Sequence, residues 1–161
     1  MTDTITIRAA TEHDVPLILS FIRDLAKYEH LEHEVIATEA GLRATLFGLR
    51  PYAEVVFACL KGVPLGFALF FPNYSTFLGK PGIYLEDLFV RREARGNGIG
   101  TRLLAWLAKT ALERDCGRLE WAVLDWNEPS IGFYESLGAV VKSEWRIFRL
   151  TGAALTELAG P

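Results

Sequence analysis

From Thr4 to Ala9 polar and apolar residues alternate, the two-residue period of a half-buried strand. The period then lengthens. Ile18, Ile22, Leu25 and Ala26 recur at helical spacing and predict an amphipathic helix with one apolar stripe. Thr11 and Asp14 compete to start it. Pro16 decides for a start near Asp14, because its missing N–H is harmless only in the first turn. A second helix is predicted from Thr38 to about Phe47. Glu54 to Leu60 and Leu65 to Phe71 read as strands joined by the turn Lys61-Gly62-Val63-Pro64, a hairpin.

Tyr84 to Val90 is the next strand, followed by a glycine-rich turn and a long helix whose inner face includes Leu103, Leu104, Leu107 and Ala108. Leu119 to Leu124 reads as a strand. Asn127 then caps a helix with Pro129 in its first turn and Gly138 at its close. Val140 to Val141 and Trp145 to Leu150 predict the last strands. The order β-α-α-β-β-β-α-β-α-β-β predicts an α/β fold, a mixed sheet with helices packed on it, in a single domain over residues 1–161.

The turn after Val90 carries the first chemical signal. In Arg95-Gly96-Asn97-Gly98-Ile99-Gly100, glycine permits positive φ and leaves no side chain between backbone and ligand. The helix behind it adds unpaired N–H groups and the positive end of its dipole. A strand, a glycine turn and a helix in that order ask for a phosphate or pyrophosphate. A dinucleotide fingerprint started at Gly96 would put its third glycine on Thr101, and no lysine follows Gly100 as a nucleoside-triphosphate loop requires.

Composition narrows the classes. A chain of 161 residues with 50% hydrophobic and 23% charged residues suits one water-soluble domain. The longest apolar run, Leu65 to Phe71, stops at Pro72 and is too short to span a bilayer. Asp3, Arg8, Glu12 and Asp14 interrupt the start where a secretory peptide needs an apolar stretch. Cys59 and Cys116 form no CxxC motif and read as reduced thiols, so a cytoplasmic protein is expected. A net charge of -3 argues against general nucleic-acid binding and suits a cationic substrate. His30 and His33 stand among Glu29, Glu32 and Glu34 without a known ligand spacing, and no metal site is expected.

The Arg-x-x-Gly-x-Gly run resembles the pyrophosphate loop of the GNAT superfamily of acetyl-CoA-dependent N-acetyltransferases, and the element order resembles that superfamily along the whole chain. Three further segments narrow the likeness: Tyr84-Leu85-Glu86-Asp87-Leu88-Phe89-Val90, Trp126-Asn127-Glu128-Pro129-Ser130 with Phe133-Tyr134, and Leu25-Ala26-Lys27-Tyr28-Glu29. They are similar to the diamine (spermidine/spermine) N-acetyltransferase branch. Ala122 to Asn127 is closer to the branch members that acetylate thialysine, a lysine analogue. The resemblance implies a mostly antiparallel sheet flanked by helices on both faces, acetyl-CoA as co-substrate, a small amine acceptor and a homodimer. It implies cofactor contacts from Arg95, Gly96, Asn97, Gly98, Ile99, Gly100 and Thr101, and main-chain pairing of the pantetheine amides with Leu88, Phe89 and Val90. Tyr28, Glu29, Glu120, Trp121 and Ala122 match substrate-contacting positions. The short turn between Leu60 and Leu65, and Glu135-Ser136-Leu137 in place of basic residues, depart from the mammalian polyamine enzyme and leave the amine open.

Acetyl transfer to an amine poses two proton problems. A lysine-like amine with a pKa of about 10.4 is neutral roughly once in 2,500 at pH 7, equivalent to about 4.6 kcal/mol. A base beside it, acting through water, offsets part of that cost. Glu86 lies on the strand before the glycine loop, and the resemblance assigns the matching glutamate to amine binding and deprotonation. Asp87 falls on the opposite face by strand period unless a bulge intervenes, and the resemblance implies such a bulge; Glu86 is favoured, with Asp87 in a supporting or structural role. Tyr134 is the candidate acid for the departing thiolate, since a phenol with a pKa near 10 is protonated at neutral pH. Asn127 and Ser130 are either cofactor contacts or ordinary helix-start residues. Glu29, Glu32, Glu34 and Asp125 are either carboxylates for a long cation or solvated positions.

The expected function is therefore acetyl transfer from acetyl-CoA to a primary amine of a small cation, a polyamine or a thialysine-like molecule, by direct attack in a ternary complex. An enzyme acting on protein lysines or N-termini is the rival. A non-catalytic acetyl-CoA sensor would have no use for the two proton-handling residues.

Overall fold

The structure is a computed structural model that describes residues 4–161. Two compact units divide it, residues 1–122 and residues 123–161. The first holds a five-stranded sheet in the order β1-β2-β3-β4-β5, built from β1 (Ile5–Ala9), β2 (Glu54–Leu60), β3 (Val63–Ser75), β4 (Lys80–Val90) and β5 (Leu119–Trp121). The first four strands pair antiparallel and β5 joins β4 in parallel. The mostly antiparallel mixed sheet expected from the sequence is thus present.

Helices α1 (Val15–Tyr28), α2 (Glu39–Phe47) and α3 (Ile99–Glu113) complete this unit. Both rival starts of α1 are used. Thr11 precedes a short 3-10 turn over Glu12–Asp14, Asp14 caps α1, and Pro16 sits in its first turn. The Asp14 carboxylate takes a two-bond fork from Arg8 at 2.8 and 2.9 Å, which draws it well below its ordinary range, to about 2. Thr38 caps α2 by accepting the Gly41 N–H.

Strand alternation sorts the core. Val55, Phe57 and Cys59 of β2, Phe67 of β3 and Phe89 of β4 pack with Ile18 and Phe21 of α1 and Leu46 of α2. The Phe21 ring lies 5.7 Å from Phe57 and 5.0 Å from Phe67. Gly66 and Phe70 take the other face. A side chain at Gly66 would collide with Ile99 and Leu103 of α3, and the Phe70 ring meets Trp106 edge-on. Ala108 is exposed, and Thr110 and Ala111 are buried in its stead.

The hairpin strands run further than the sequence predicts. β3 runs through Pro72 to Ser75, while β2 pairs with it only as far as Phe70. Pro72 therefore lies where that side of β3 has no strand partner, and its missing N–H costs no ladder bond. The second unit contains α4 (Glu128–Ser136) and α5 (Gly152–Ala159). The predicted strands Val140 to Val141 and Trp145 to Leu150 are absent there, and β5 ends at Trp121 instead of Leu124. Val140, Trp145, Ile147 and Phe148 are exposed, so the alternation that predicted strands finds no buried face. Helix α5 carries no apolar stripe that is buried, which is why the sequence pattern missed it.

Candidate active site

The glycine run connects β4 to α3 with the geometry an anion needs. Gly96 and Gly98 have φ of 81 and 75 degrees, the left-handed region, and nothing in the described residues lies within 4 Å of where a Cβ would sit on either. Gly98 is the residue that starts α3, and no side chain caps the helix. The first intrahelical bond of the new turn is Arg102 N–H to the Gly98 carbonyl, so the N–H groups of Ile99, Gly100 and Thr101 come before the ladder. Asn97 turns inward and donates from Nδ2 to the Ala94 carbonyl. This open cradle fits a pyrophosphate.

Arg95 does not extend into that cradle. Its Nε donates to the Val90 carbonyl at 3.0 Å, and its guanidinium lies 4.8 Å from the Tyr28 ring centre and 5.3 Å from that of Phe89. The start of the glycine loop is thereby tied to the end of α1, where Tyr28 and Glu29 sit. Leu88, Phe89 and Val90 pair with β3 on one side. On the other, β5 pairs with β4 only at Ile83–Leu85, so no strand covers them among the described residues.

A bulge brings the carboxylates together. Leu69 faces Asp87 and Phe70 faces Leu85, which leaves Glu86 as the extra residue in β4. The slip puts Tyr84 and Asp87 on the sheet face that carries Phe67 and Phe89. Asp87 is half-buried, and desolvation pushes its carboxyl up to about 7, with the charges of Glu86 and Glu29 adding to the rise. Glu29 is also raised, by burial. Glu86 itself is exposed. The perturbed carboxyl is therefore Asp87, which sequence reasoning had placed in a supporting role. It is poised to exchange a proton near neutral pH.

Further along the same face, Tyr84 pairs in register with Glu120 of β5 and with Phe71 of β3. The charges of Glu86 and Glu120, after burial, raise the Tyr84 phenol. Glu120 Oε1 accepts from Asn73 Nδ2 at 3.1 Å and forms an ion pair with Arg118 at 2.8 Å. Asn73, Tyr84 and Arg118 were missed from the sequence. For Asn73 the signal is the two-residue period carried past Pro72, a residue that ordinarily closes a central strand. Trp121 is half-buried on the opposite side of β5 by strand period, and Ala122 is exposed.

In the second unit Asn127 is buried and its Oδ1 accepts the Ser130 N–H, so a capping role for both residues is occupied. Tyr134 is half-buried, its ring 5.6 Å from Phe133. Glu32, His33 and Glu34 form an exposed 3-10 turn, and His30 closes α1 with φ of 61 degrees. Among the described residues no group of His, Cys, Asp and Glu is arranged to hold a metal.

Residues 19–139 match the acetyltransferase (GNAT) family. The chain belongs to the GNAT acetyltransferase family. Members use acetyl-CoA as acetyl donor, and this chain is an acyltransferase. It is 40% identical to the thialysine N-epsilon-acetyltransferase of Bos taurus over 97% of this chain and 98% of that protein. It is 39% identical to the L-ornithine N5-acetyltransferase of Arabidopsis thaliana, over 92% of this chain and 85% of the relative. Among solved structures, an integron cassette protein from the mobile metagenome of V. cholerae superposes with a TM-score of 0.81 at 30% identity, covering 100% of this chain and 99% of that one. As a GNAT protein the chain has the loop and the strand bulge on one continuous element, β4 into α3. No helix among the described residues is long and apolar enough to cross a membrane.

Proposed function

We propose that residues 1–161 act as one GNAT domain that transfers acetyl from acetyl-CoA to a primary amine of a small cation, a polyamine or a thialysine-like molecule. The observation that carries this reading is the acidic patch of Glu29, Glu86 and Asp87 at the strand bulge that leads into the glycine loop. A patch of carboxylates attracts an ammonium, and the half-buried one accepts its proton near neutral pH. The relatives named thialysine and ornithine acetyltransferases support an acceptor of this size.

In the proposed reaction Arg95, Gly96, Asn97, Gly98, Ile99, Gly100 and Thr101 hold the pyrophosphate, with Arg95 and Asn97 acting through their main chains. Leu88, Phe89 and Val90 offer main-chain groups to the pantetheine amides. The donor supplies the thioester carbonyl that the amine attacks. Glu86 takes the ammonium proton through water, and Asp87 is the second acceptor that its environment favours. As the C–N bond forms and the C–S bond breaks, Tyr134 gives its proton to sulfur and is reprotonated from solvent. Tyr28, Glu29, Glu120, Trp121 and Ala122 line the acceptor side, and Asn127 and Ser130 support Tyr134 through the start of α4.

A panel of amines with acetyl-CoA, followed by thiol release, tests the reading. Turnover of small diamines or diamino acids supports it, and inertness toward both while a peptide N-terminus or lysine is acetylated would replace it. Tyr134→Phe is expected to lower kcat by roughly 10²-fold with donor affinity little changed. A homodimer in the cytoplasm completes the proposal. A stable 18 kDa species in light scattering at micromolar concentration would remove the dimer.

A further inference from the structure

We propose that Arg118, Glu120 and Asn73, gathered over Gly82, form a recognition site for the zwitterionic head group of an α-amino acid, so that the acceptor is a diamino acid and not a plain diamine. This rests on the small-amine acetyltransferase reading and chooses the substrate class within it.

The three side chains converge from two strands across a third. Asn73 on β3 pairs in register with Gly82 on β4, and Arg118 precedes β5, beside Gly82. A side chain at position 82 would collide with Asn73 Oδ1 and would lie 3.2 Å from the Arg118 carbonyl and 3.3 Å from Arg118 Cγ. Glycine at 82 is therefore what lets the Asn73 amide cross β4 to reach Glu120, with the Arg118 stem lying beside the same position. A single carboxylate oxygen of Glu120, Oε1, receives both the Asn73 amide and the Arg118 cation. Glu120 Oε2 and both Nη groups of Arg118 have no partner among the described residues. Asn73 Oδ1 is buried and has no hydrogen-bond donor among the described residues, an unsatisfied acceptor that needs a reason.

The unused groups match one ligand. The Nη pair of a guanidinium takes a carboxylate in a two-bond fork, while a carboxylate oxygen takes an ammonium, with the buried Asn73 amide holding that carboxylate in place. An α-amino acid carries both charges on one carbon. A plain diamine offers only the ammonium and leaves Arg118 facing a like charge. The position also suits such a ligand. Tyr84 is the register partner of Glu120, and Asp87 lies three residues further along β4, roughly 10 Å away at about 3.3 Å per residue. A short methylene chain, with the reach of the carboxylates at each end, joins a head group at Glu120 to an amine at the bulge.

The test uses the intact enzyme with paired acceptors of equal chain length: ornithine against 1,4-diaminobutane, and lysine against 1,5-diaminopentane. The wild type is expected to favour the amino acid of each pair by at least about tenfold in kcat/KM. Arg118→Gln is expected to raise KM for ornithine and lysine about tenfold with kcat little changed, leaving the diamines unaffected or improved. Asn73→Ala is expected to raise the same KM values, and Arg118→Lys to restore part of the preference. Equal or better use of the diamines by the wild type, or an equal loss on both classes in Arg118→Gln, overturns the head-group site while the acetyltransferase reading stands. Inertness of the wild type toward all four acceptors overturns both.

Discussion

One face of the sheet is divided into two regions with opposite uses. Below the bulge, Phe57, Phe67 and Phe89 lie under α1 and meet Phe21 in a dry aromatic layer. Above it, the same strands carry Asn73 and Tyr84, with Glu120 alongside and Asp87 at the bulge itself, and every one of these side chains is polar. β3 and β4 run through both regions, and their mutual register shifts only at Glu86. A single inserted residue therefore stands where packing gives way to chemistry. The lesson is about where stability is stored: the aromatic half supports the sheet, while the acidic half tolerates desolvated charge on a frame it does not itself hold up.

The widest contrast comes from deleting one ring on the packed side. Phe67 is fully buried between Phe21 and the sheet, and Phe67→Ala is expected to lose about 3–5 kcal/mol of stability by denaturant unfolding. Asp87, two positions from the register partner of that ring along β4 and at the bulge, behaves in the opposite sense. Its folded carboxyl titrates at about 7 against an ordinary 3.8, so the folded state holds this proton more tightly than the unfolded chain. The stability it contributes is full below about pH 4 and is lost as pH rises through 7. A rise of roughly three units corresponds to at most about 4 kcal/mol. Asp87→Asn is thus expected to be more stable than wild type at pH 8 and nearly equal at pH 4, in paired denaturation curves. Equal stability at both pH values would mean that Asp87 is solvated.

The division at Glu86 also marks how far the sequence could be read. The elements of the packed half were legible because burial is written in the period of Val55-Phe57-Cys59 and of Ile18 and Phe21. The glycine loop was legible because only glycine serves at Gly96 and Gly98. The cluster around Asn73 was not, since it depends on strand register across three strands and on a proline whose unpaired side cannot be seen from one strand alone. The apolar alternation from Trp145 to Leu150 misled for the converse reason: a period of two predicts a strand only where a neighbouring edge receives it. Strand period alone opposes the adjacent acids, since a bulge is a property of the pair of strands and leaves no mark on one; only the family resemblance pointed to it.

Kinetics sharpens the roles of those two acids. Glu86→Gln and Asp87→Asn are each expected to reduce kcat, the one carrying the amine proton by about 10²-fold and the other by less. The pH profile separates them. If Asp87 is the acceptor, the acid limb of kcat/KM bends near pH 7 in wild type and in Glu86→Gln, and flattens in Asp87→Asn. A bend near pH 7 that survives in Asp87→Asn removes Asp87 as the acceptor.

The smallest expected effect lies at the end of β4, where the polar half opens onto the glycine loop. Gly98 has φ of 75 degrees and begins α3 with open space where a Cβ would stand. Valine fits that space and still resists that backbone, since a β-branched residue in the left-handed region costs on the order of 1–3 kcal/mol. The chain relieves the strain by turning the peptide, and the N–H groups at the start of α3 lose their common direction. Gly98→Val is therefore expected to weaken acetyl-CoA binding by about tenfold, or roughly 1.4 kcal/mol, in calorimetry on protein that remains folded. The packed half should be little affected, because Phe21, Phe57 and Phe67 pack on one another and nothing lies within 4 Å of a Cβ at Gly98. Unchanged affinity in a folded Gly98→Val protein would take the loop out of the donor site and leave the acidic patch without a neighbouring donor.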